Sequence, residues 1–428
     1  MTDTNLANAN LINSCHEASL ISRRGLLGAG ASFFAWSHMT RTASAAGARD
    51  PRLLVVILRG ALDGLSAVPP ISDPAYQDLR GEIALPKEGA LAALPLDGFF
   101  ALHPSMKTFA RLYKEKKAAV VHAVATSYRE RSHFDGQDVL ESGYGGAGRV
   151  DSGWLNRALV AMPKGAPVNP KGGQIFAGLG IGPATPLILR GPAPVMGWAP
   201  QQVPNAGDDL AARVLDLYTH RDPALGEALA AGLDTDRMAK AQGMRGDMAK
   251  SQGGSADPRG MVQAAQGAAR LMMAPDGPRV AALSFDGWDT HANQGGATGR
   301  LANLLGGLDG AFGVFEEVMT PVWNDTAVVV ITEFGRTARI NGTVGSDHGT
   351  GTVAFLLGGA IAGGRMFADW PGLAQNQLHE GRDLKPTIDL RAVLKGLMQD
   401  HVGVSAAILS EQIFPGSGDV AAMKGLVV

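Results

Sequence analysis

Four short polar segments, far apart in the 428-residue chain, each carry a carboxylate or an imidazole beside a hydrophobic run. Asp286-Gly287-Trp288-Asp289-Thr290-His291-Ala292-Asn293 follows one run, and Glu333-Phe334-Gly335-Arg336-Thr337 follows another. Ser346-Asp347-His348-Gly349 precedes a third, and Arg59-Gly60-Ala61-Leu62-Asp63 follows a fourth. Asp289 and His291 are two residues apart, so on extended backbone their side chains point the same way. A carboxylate oxygen and an imidazole nitrogen so placed suit one zinc, manganese or iron ion. Asp347 and His348 offer the same pair as neighbours in a Gly-flanked loop. Glu333 stands directly after a buried run. A carboxylate there needs a partner, a metal or Arg336, because burying an unpaired charge is costly. Singly, each segment has an ordinary reading as a hydrogen-bonded turn, a helix cap or a strand-end ion pair. Their joint placement is what points to a metal centre.

That joint placement depends on the elements between them. Arg52–Leu58 (RLLVVIL), Val280–Phe285 (VAALSF), residues 327–332 (AVVVIT) and Thr352–Leu357 (TVAFLL) read as buried strands, as does 118–124 (AAVVHAV). Apolar spacing predicts helices over 104–117, 132–142, 154–162, 297–319 and 387–399, the last with Thr387 as its N-cap. Buried strands alternating with helices argue an α/β fold, a sheet with helices on both faces. In such sheets the ligand crevice lies at the carboxyl ends of the strands, where the polar segments fall. From 206 to 273 the composition shifts to Ala, Gln, Met, Gly and Asp, which reads as a helical insertion or lid, or else as a helical layer with one loose loop at 252–257.

Composition narrows the class. Lys+Arg 38 against Asp+Glu 40 leaves a formal charge of −2, with no global pull toward nucleic acid. The single cysteine, Cys15, precludes an intrachain disulfide or a cysteine–zinc site. It lies within a predicted export signal, residues 1–45. Ser22-Arg23-Arg24-Gly25-Leu26-Leu27 is a twin-arginine pattern, followed by a short apolar run and Ala43-Ser44-Ala45. The expected mature chain, 46–428, is periplasmic or extracytoplasmic and engages the twin-arginine export machinery. No later run approaches the ~18 apolar residues of a membrane span. Gly143-Tyr144-Gly145-Gly146-Ala147-Gly148 matches a dinucleotide loop by letter but follows a helix rather than a strand, so it reads as a loop.

The polar segments, together with Arg59-Gly60-Ala61-Leu62-Asp63-Gly64-Leu65-Ser66, Arg131-Ser132-His133-Phe134-Asp135-Gly136-Gln137, Asp347-His348-Gly349 and Asp383-Leu384-Lys385-Pro386-Thr387, resemble the secreted domain-of-unknown-function family 1501. The resemblance spans nearly the whole mature chain and the twin-arginine start. It places the chain near the alkaline phosphatase and sulfatase superfamily and implies a central mixed, largely parallel sheet between helices. It also implies hydrolysis of phosphate or sulfate esters with one or two divalent ions, zinc before manganese, iron or calcium. By that resemblance Asp63, Asp289, His291, Asp347 and His348 are the expected metal residues, and Glu333 is added to them as the buried strand-end carboxylate in need of a partner. Ser132 is either the nucleophile at a helix N-terminus, where an anion is favoured, or that helix's N-cap. Arg59 or Arg336 would hold the equatorial ester oxygens. A further histidine is expected from His379, His103 or His133.

Two functions follow. One is a secreted metal-dependent hydrolase of small-molecule or polymer esters. The other is a non-catalytic envelope protein that keeps the fold as a scaffold. The Asp289–His291 spacing of two, where several enzymes of that superfamily use four, favours the scaffold; bound metal favours the enzyme.

Overall fold

Strand Arg52–Leu58 is buried along its whole length because both of its faces are covered. Leu54, Val56 and Leu58 point into one hydrophobic core, and Leu53, Val55 and Ile57 into a second on the opposite face. This period of two explains why the run is continuously apolar rather than alternating. The computed structural model describes residues 49–148, 152–162, 178–182, 184–199, 208–242 and 256–428. The export signal read at 1–45 lies outside the described residues.

The strands are β1 (Arg52–Leu58), β2 (Leu94–Pro95), β3 (Ala101–Leu102), β4 (Ala118–Ala125), β5 (Gly178–Ile181), β6 (Val195–Trp198), β7 (Val280–Phe285), β8 (Thr326–Thr332), β9 (Thr352–Leu357), β10 (Arg365–Phe367) and β11 (Ile388–Asp389). Strands β2 and β3 form a small separate hairpin. The main sheet runs β10-β4-β9-β8-β1-β7-β5-β6, with β11 also on β4. All its pairings are parallel except those of β9, which runs antiparallel to both β8 and β4. The α/β architecture, a mixed and largely parallel sheet, is the one expected. The reversal of β9 has a functional consequence: its N-terminal end meets the C-terminal ends of β1, β4, β7 and β8 at one edge of the sheet.

Helices cover both faces. Phe109 and Leu112 of Lys107–Lys114, Met261 and Leu271 of Pro258–Met273, and Phe312 and Phe315 of Arg300–Val318 fill the first core. Trp154 and Leu155 of Trp154–Ala161, and Val393 and Leu394 of Leu390–Leu397, fill the second. Pro258–Met273 is therefore a core layer, which corrects the lid reading for that part of 206–273. Its start is explained by Asp257, which stands just ahead of Pro258 and accepts from the Arg259 and Gly260 N–H groups. The helix expected over 387–399 begins later, at Leu390, with Asp389 as the N-cap. The Thr387 hydroxyl donates instead to Asp369 O, so it caps nothing. No helix among the described residues is long and apolar enough to cross a membrane.

One buried group makes the fold acid-sensitive. His122, in β4 where the register with β9 shifts, stacks on Phe100 and meets Trp370 edge-on. Its Nε2 donates to Val68 O at 2.9 Å and its Nδ1 accepts from Ala123 N at 2.8 Å, so the ring is neutral. Burial lowers its pKa from 6.5 to about 4, against the smaller opposing effect of the Val68 carbonyl. Below pH 6.5 the unfolded chain takes up a proton that the folded chain refuses. Stability present above 6.5 is thus lost as pH falls toward 4, by about 3 kcal/mol. Urea unfolding at pH 7 and pH 4 should show this drop in the wild type and a smaller one in His122→Asn; equal drops would remove His122 as the cause.

Candidate metal centre

The loops after β1, β7 and β8 and the loop before β9 meet at the sheet edge. Gly60 permits the closest approach. Its φ is +117°, and a Cβ on it would sit 2.5 Å from the Asp289 backbone nitrogen. Only glycine lets the β1 and β7 loops touch there. The Gly60 N–H then donates to Glu333 Oε1 at 2.8 Å, tying the third loop to the first. The segment after β4 adds the N-terminal turn of helix His133–Ser142.

Three side chains converge on one point, and a fourth, His291, adjoins two of them. His133, Asp289 and His348 each present a donor atom, all within 4.8 Å of one another. His291 Nε2 lies 2.9 Å from His348 Nε2 and 3.1 Å from Asp289 Oδ1. His348 Nε2 is 3.4 Å from the same oxygen, and His133 Nε2 is 3.5 Å from Asp289 Oδ2. Phe334, fully buried, lies against both the His133 and His348 rings, stacking on the first and tilted to the second.

The second nitrogen of each ring decides what the first can do. His133 Nδ1 donates to Glu333 Oε1 at 2.8 Å, and His291 Nδ1 to Asp347 Oδ1 at 3.1 Å. His348 Nδ1 is 2.8 Å from Arg131 O, a group that can only accept. With a proton on every Nδ1, each neutral ring directs an Nε2 lone pair inward. Two such lone pairs face each other across 2.9 Å between His291 and His348, and His133 Nε2 is buried with no hydrogen-bond partner. Lone pairs so arranged repel unless a proton or a metal ion stands among them. Imidazoles backed by carboxylates or a carbonyl, plus one carboxylate, are the donor set and outer support of a zinc-type site, so these residues fit a divalent ion.

The surrounding charges support that use. Hydrogen bonding to Glu333 raises the His133 pKa against the effect of burial, making the ring a stronger donor to a cation. Burial lowers the His348 pKa, and the neighbouring His133 and Arg336 add to this, so the ring stays neutral. Burial alone would raise the Asp289 carboxyl, but the Arg336 guanidinium, together with His291 and His133, outweighs it and holds the group below its ordinary range. Glu333 behaves likewise: burial opposes its charge, and the His133 and Gly60 donors overcome that.

Several expected roles change. Glu333 is not placed among the inward-facing donors; its Oε1 is spent on His133, Gly60 and Gln137, and its Oε2 accepts from Thr332. Asp347 backs His291 rather than joining the three-residue group. Asp63 is fully buried in an ion pair with Arg80 and also accepts from Ser66 and Gln294, which leaves it no role at the centre. Arg336 is committed within the protein: Nη1 donates to Asp289 at 2.6 Å, while Nη2 and Nε donate to Ser346. Arg59 lies beside the centre, its Nη2 on Glu141 Oε1 at 2.6 Å, and lines a cavity of about 360 Å³ with Phe134, Gln137, Asp138, Arg190 and Asp286. Ser132 occupies the N-cap position, but its side chain makes no capping bond, which corrects the capping alternative. Of the three candidate histidines His133 joins the cluster. His103 spends both nitrogens, on Gly296 O and Ser105 N, and His379 sits against Glu380. In the sequence His133 stood only as one of three rival histidines, and the buried carboxylate that it meets, Glu333, was expected to pair with a metal or Arg336.

No curated protein matches the sequence. Among solved structures, Ps i-CgsB in complex with k-i-k-neocarrahexaose superposes with a TM-score of 0.41 at 10% identity, over 86% of this chain and 75% of that one. The phosphonate monoester hydrolase of Agrobacterium radiobacter superposes with a TM-score of 0.34 at 10% identity, over 83% of this chain and 74% of that one. Likenesses this distant carry no argument about activity. The family described as protein of unknown function (DUF1501) matches residues 50–413, most of the chain, and the chain belongs to it.

Proposed function

We propose that this protein is a divalent-metal hydrolase of phosphate or sulfate esters, exported by the twin-arginine route and acting outside the cytoplasm. The observation that carries the reading is the inward convergence of His133, His291 and His348 Nε2 on Asp289, each ring locked through its Nδ1. Zinc is the favoured ion on the nitrogen-rich donor set. Bound there, it would supply a Lewis acid for an ester oxygen and lower the pKa of an oxygen nucleophile. The protein's own groups do the rest. Arg336 fixes Asp289, and Glu333 and Asp347 fix two of the rings. Ser132, uncommitted to capping and directly before His133, is the candidate nucleophile. Arg59 and the adjoining cavity would face the alcohol part of the ester. One donor cluster is present among the described residues, so the reading is of a single ion rather than two.

The test is hydrolysis of 4-nitrophenyl phosphate and 4-nitrophenyl sulfate by purified chain, chelated and then resupplied with zinc. Activity should return with metal, and Ser132→Ala should lose it while keeping the ion. A wild-type chain that binds metal and hydrolyses neither ester would favour the scaffold reading instead. Fractionation of the expressing cells tests the export route; mature protein confined to the cytoplasm counts against it.

A further inference from the structure

We propose that Asp383 is a positioning residue for the centre, acting on His348 through two arginines; the inference rests on reading the histidine cluster as a metal site. Arg131 adopts a left-handed backbone with φ of +64°, which a non-glycine residue holds only when its surroundings impose it. The imposing group is Asp383, whose side chain is fully buried. Its Oδ2 accepts from Arg131 Nε at 3.0 Å and Nη2 at 2.8 Å, and from the Thr350 hydroxyl at 2.8 Å. Its Oδ1 pairs with Arg382 Nη1 at 3.3 Å. Both arginines then grip His348. The Arg131 carbonyl accepts from His348 Nδ1, and Arg382 Nη2 donates to the His348 carbonyl at 2.8 Å. Asp383 is itself held in place by paired main-chain bonds with His379, at 3.0 and 2.9 Å. One buried carboxylate thus sets both the backbone position of His348 and the acceptor that fixes its tautomer. Without it the Arg131 backbone is free to relax, its carbonyl turns away, and the proton on Nδ1 loses the partner that keeps Nε2 a lone-pair donor.

The full chain carrying Asp383→Asn or Arg131→Ala is compared with wild type and with Glu380→Gln, which removes only the exposed second partner of Arg131. Cobalt is the probe, with affinity read by chelator competition and coordination by the visible absorption band. Asp383→Asn and Arg131→Ala should weaken cobalt binding by about 10–100-fold and change the band, with Glu380→Gln near wild type. A second readout needs no metal. The ¹⁵N shifts of the His348 ring should report a fixed Nδ1–H tautomer in wild type and a mixture in both variants. Arg131→Ala keeps the test open if Asp383→Asn fails to fold. Wild-type chain that binds no cobalt ends the metal reading, and the tautomer comparison then decides this proposal separately. An unchanged tautomer in a folded variant overturns it, as does cobalt binding equal to wild type.

Discussion

Chain carrying His133→Ala or Asp289→Ala keeps its fold and loses the divalent ion, with affinity reduced by more than about 100-fold. The figure follows from the supporting groups, whose removal alone costs 10–100-fold at comparable sites. Removing a donor that touches the ion exceeds that. Glu333→Gln and Asp347→Asn should fall in the lower range, because each leaves its imidazole in place and changes only what the Nδ1 proton meets. The order therefore separates ligand from support: wild type, then the two amide variants, then the two alanine variants. Elemental analysis after dialysis against a weak chelator reads the first comparison, and zinc titration the second. Wild type should carry about one ion per chain, matching the single cluster. Added zinc should raise the wild-type Tm and leave the alanine variants unmoved, since only a folded site converts binding into stability. Equal metal content in wild type and both alanine variants would sink the site.

Much of this was legible in the residues. The four polar segments sit at one sheet edge because Arg52–Leu58, Val280–Phe285 and Thr352–Leu357 form buried strands with the expected bounds. Strand β8 begins one residue earlier than read, at Thr326, and β4 ends one later, at Ala125. Which carboxylate faces inward was not legible. Asp289 and Asp347 each stand beside a histidine in a loop, and only the loop path distinguishes the one among the donors from the one behind a ring. Glu333 needed a partner on physical grounds, and the nearest in sequence was Arg336. The fold instead brings His133 from 200 residues away, while Arg336 turns to Asp289. His133 was hard to single out because its segment reads equally well as the opening of a helix, which it also is. Local pattern identifies strands and caps, but pairing across the sheet edge depends on the order of strands, including the reversal of β9.

Breaking the ion pair between Asp63 and Arg80 should destabilise the fold by about 3–5 kcal/mol, more than any other single polar change here. Both side chains are buried, and neither has water to fall back on. Arg80 Nη1 donates to the Thr337 and Ala338 carbonyls at 3.1 Å each, and Nη2 to Ser66 Oγ at 2.7 Å. Asp63 accepts from Gln294 Nε2 at 2.7 Å, and Gln294 Oε1 accepts from Ser346 Oγ and Thr290 Oγ1. The pair therefore joins the loops after β1, β7 and β8, the same loops that carry the centre. Burial opposes the charge of Asp63, but Arg80 and the other donors outweigh it and hold its pKa below the ordinary value. Stability from this carboxylate is then present at neutral pH and lost as pH falls through the folded-state pKa, which lies below 3.8. Asp63→Ala leaves a buried guanidinium without its counter-charge, and Arg80→Ala leaves a buried carboxylate with only neutral donors. Either should unfold at markedly lower urea concentration. Asp63→Leu with Arg80→Met should recover part of the loss, because no charge is then stranded. It should not recover metal affinity fully, since Gln294 loses the acceptor that orients it toward Ser346 and, through Ser346, toward Arg336. Urea unfolding of wild type, Asp63→Leu, Arg80→Met and the chain carrying both forms a double-mutant cycle. A coupling energy below about 1 kcal/mol would show that the pair is an ordinary contact and not the staple of the three loops.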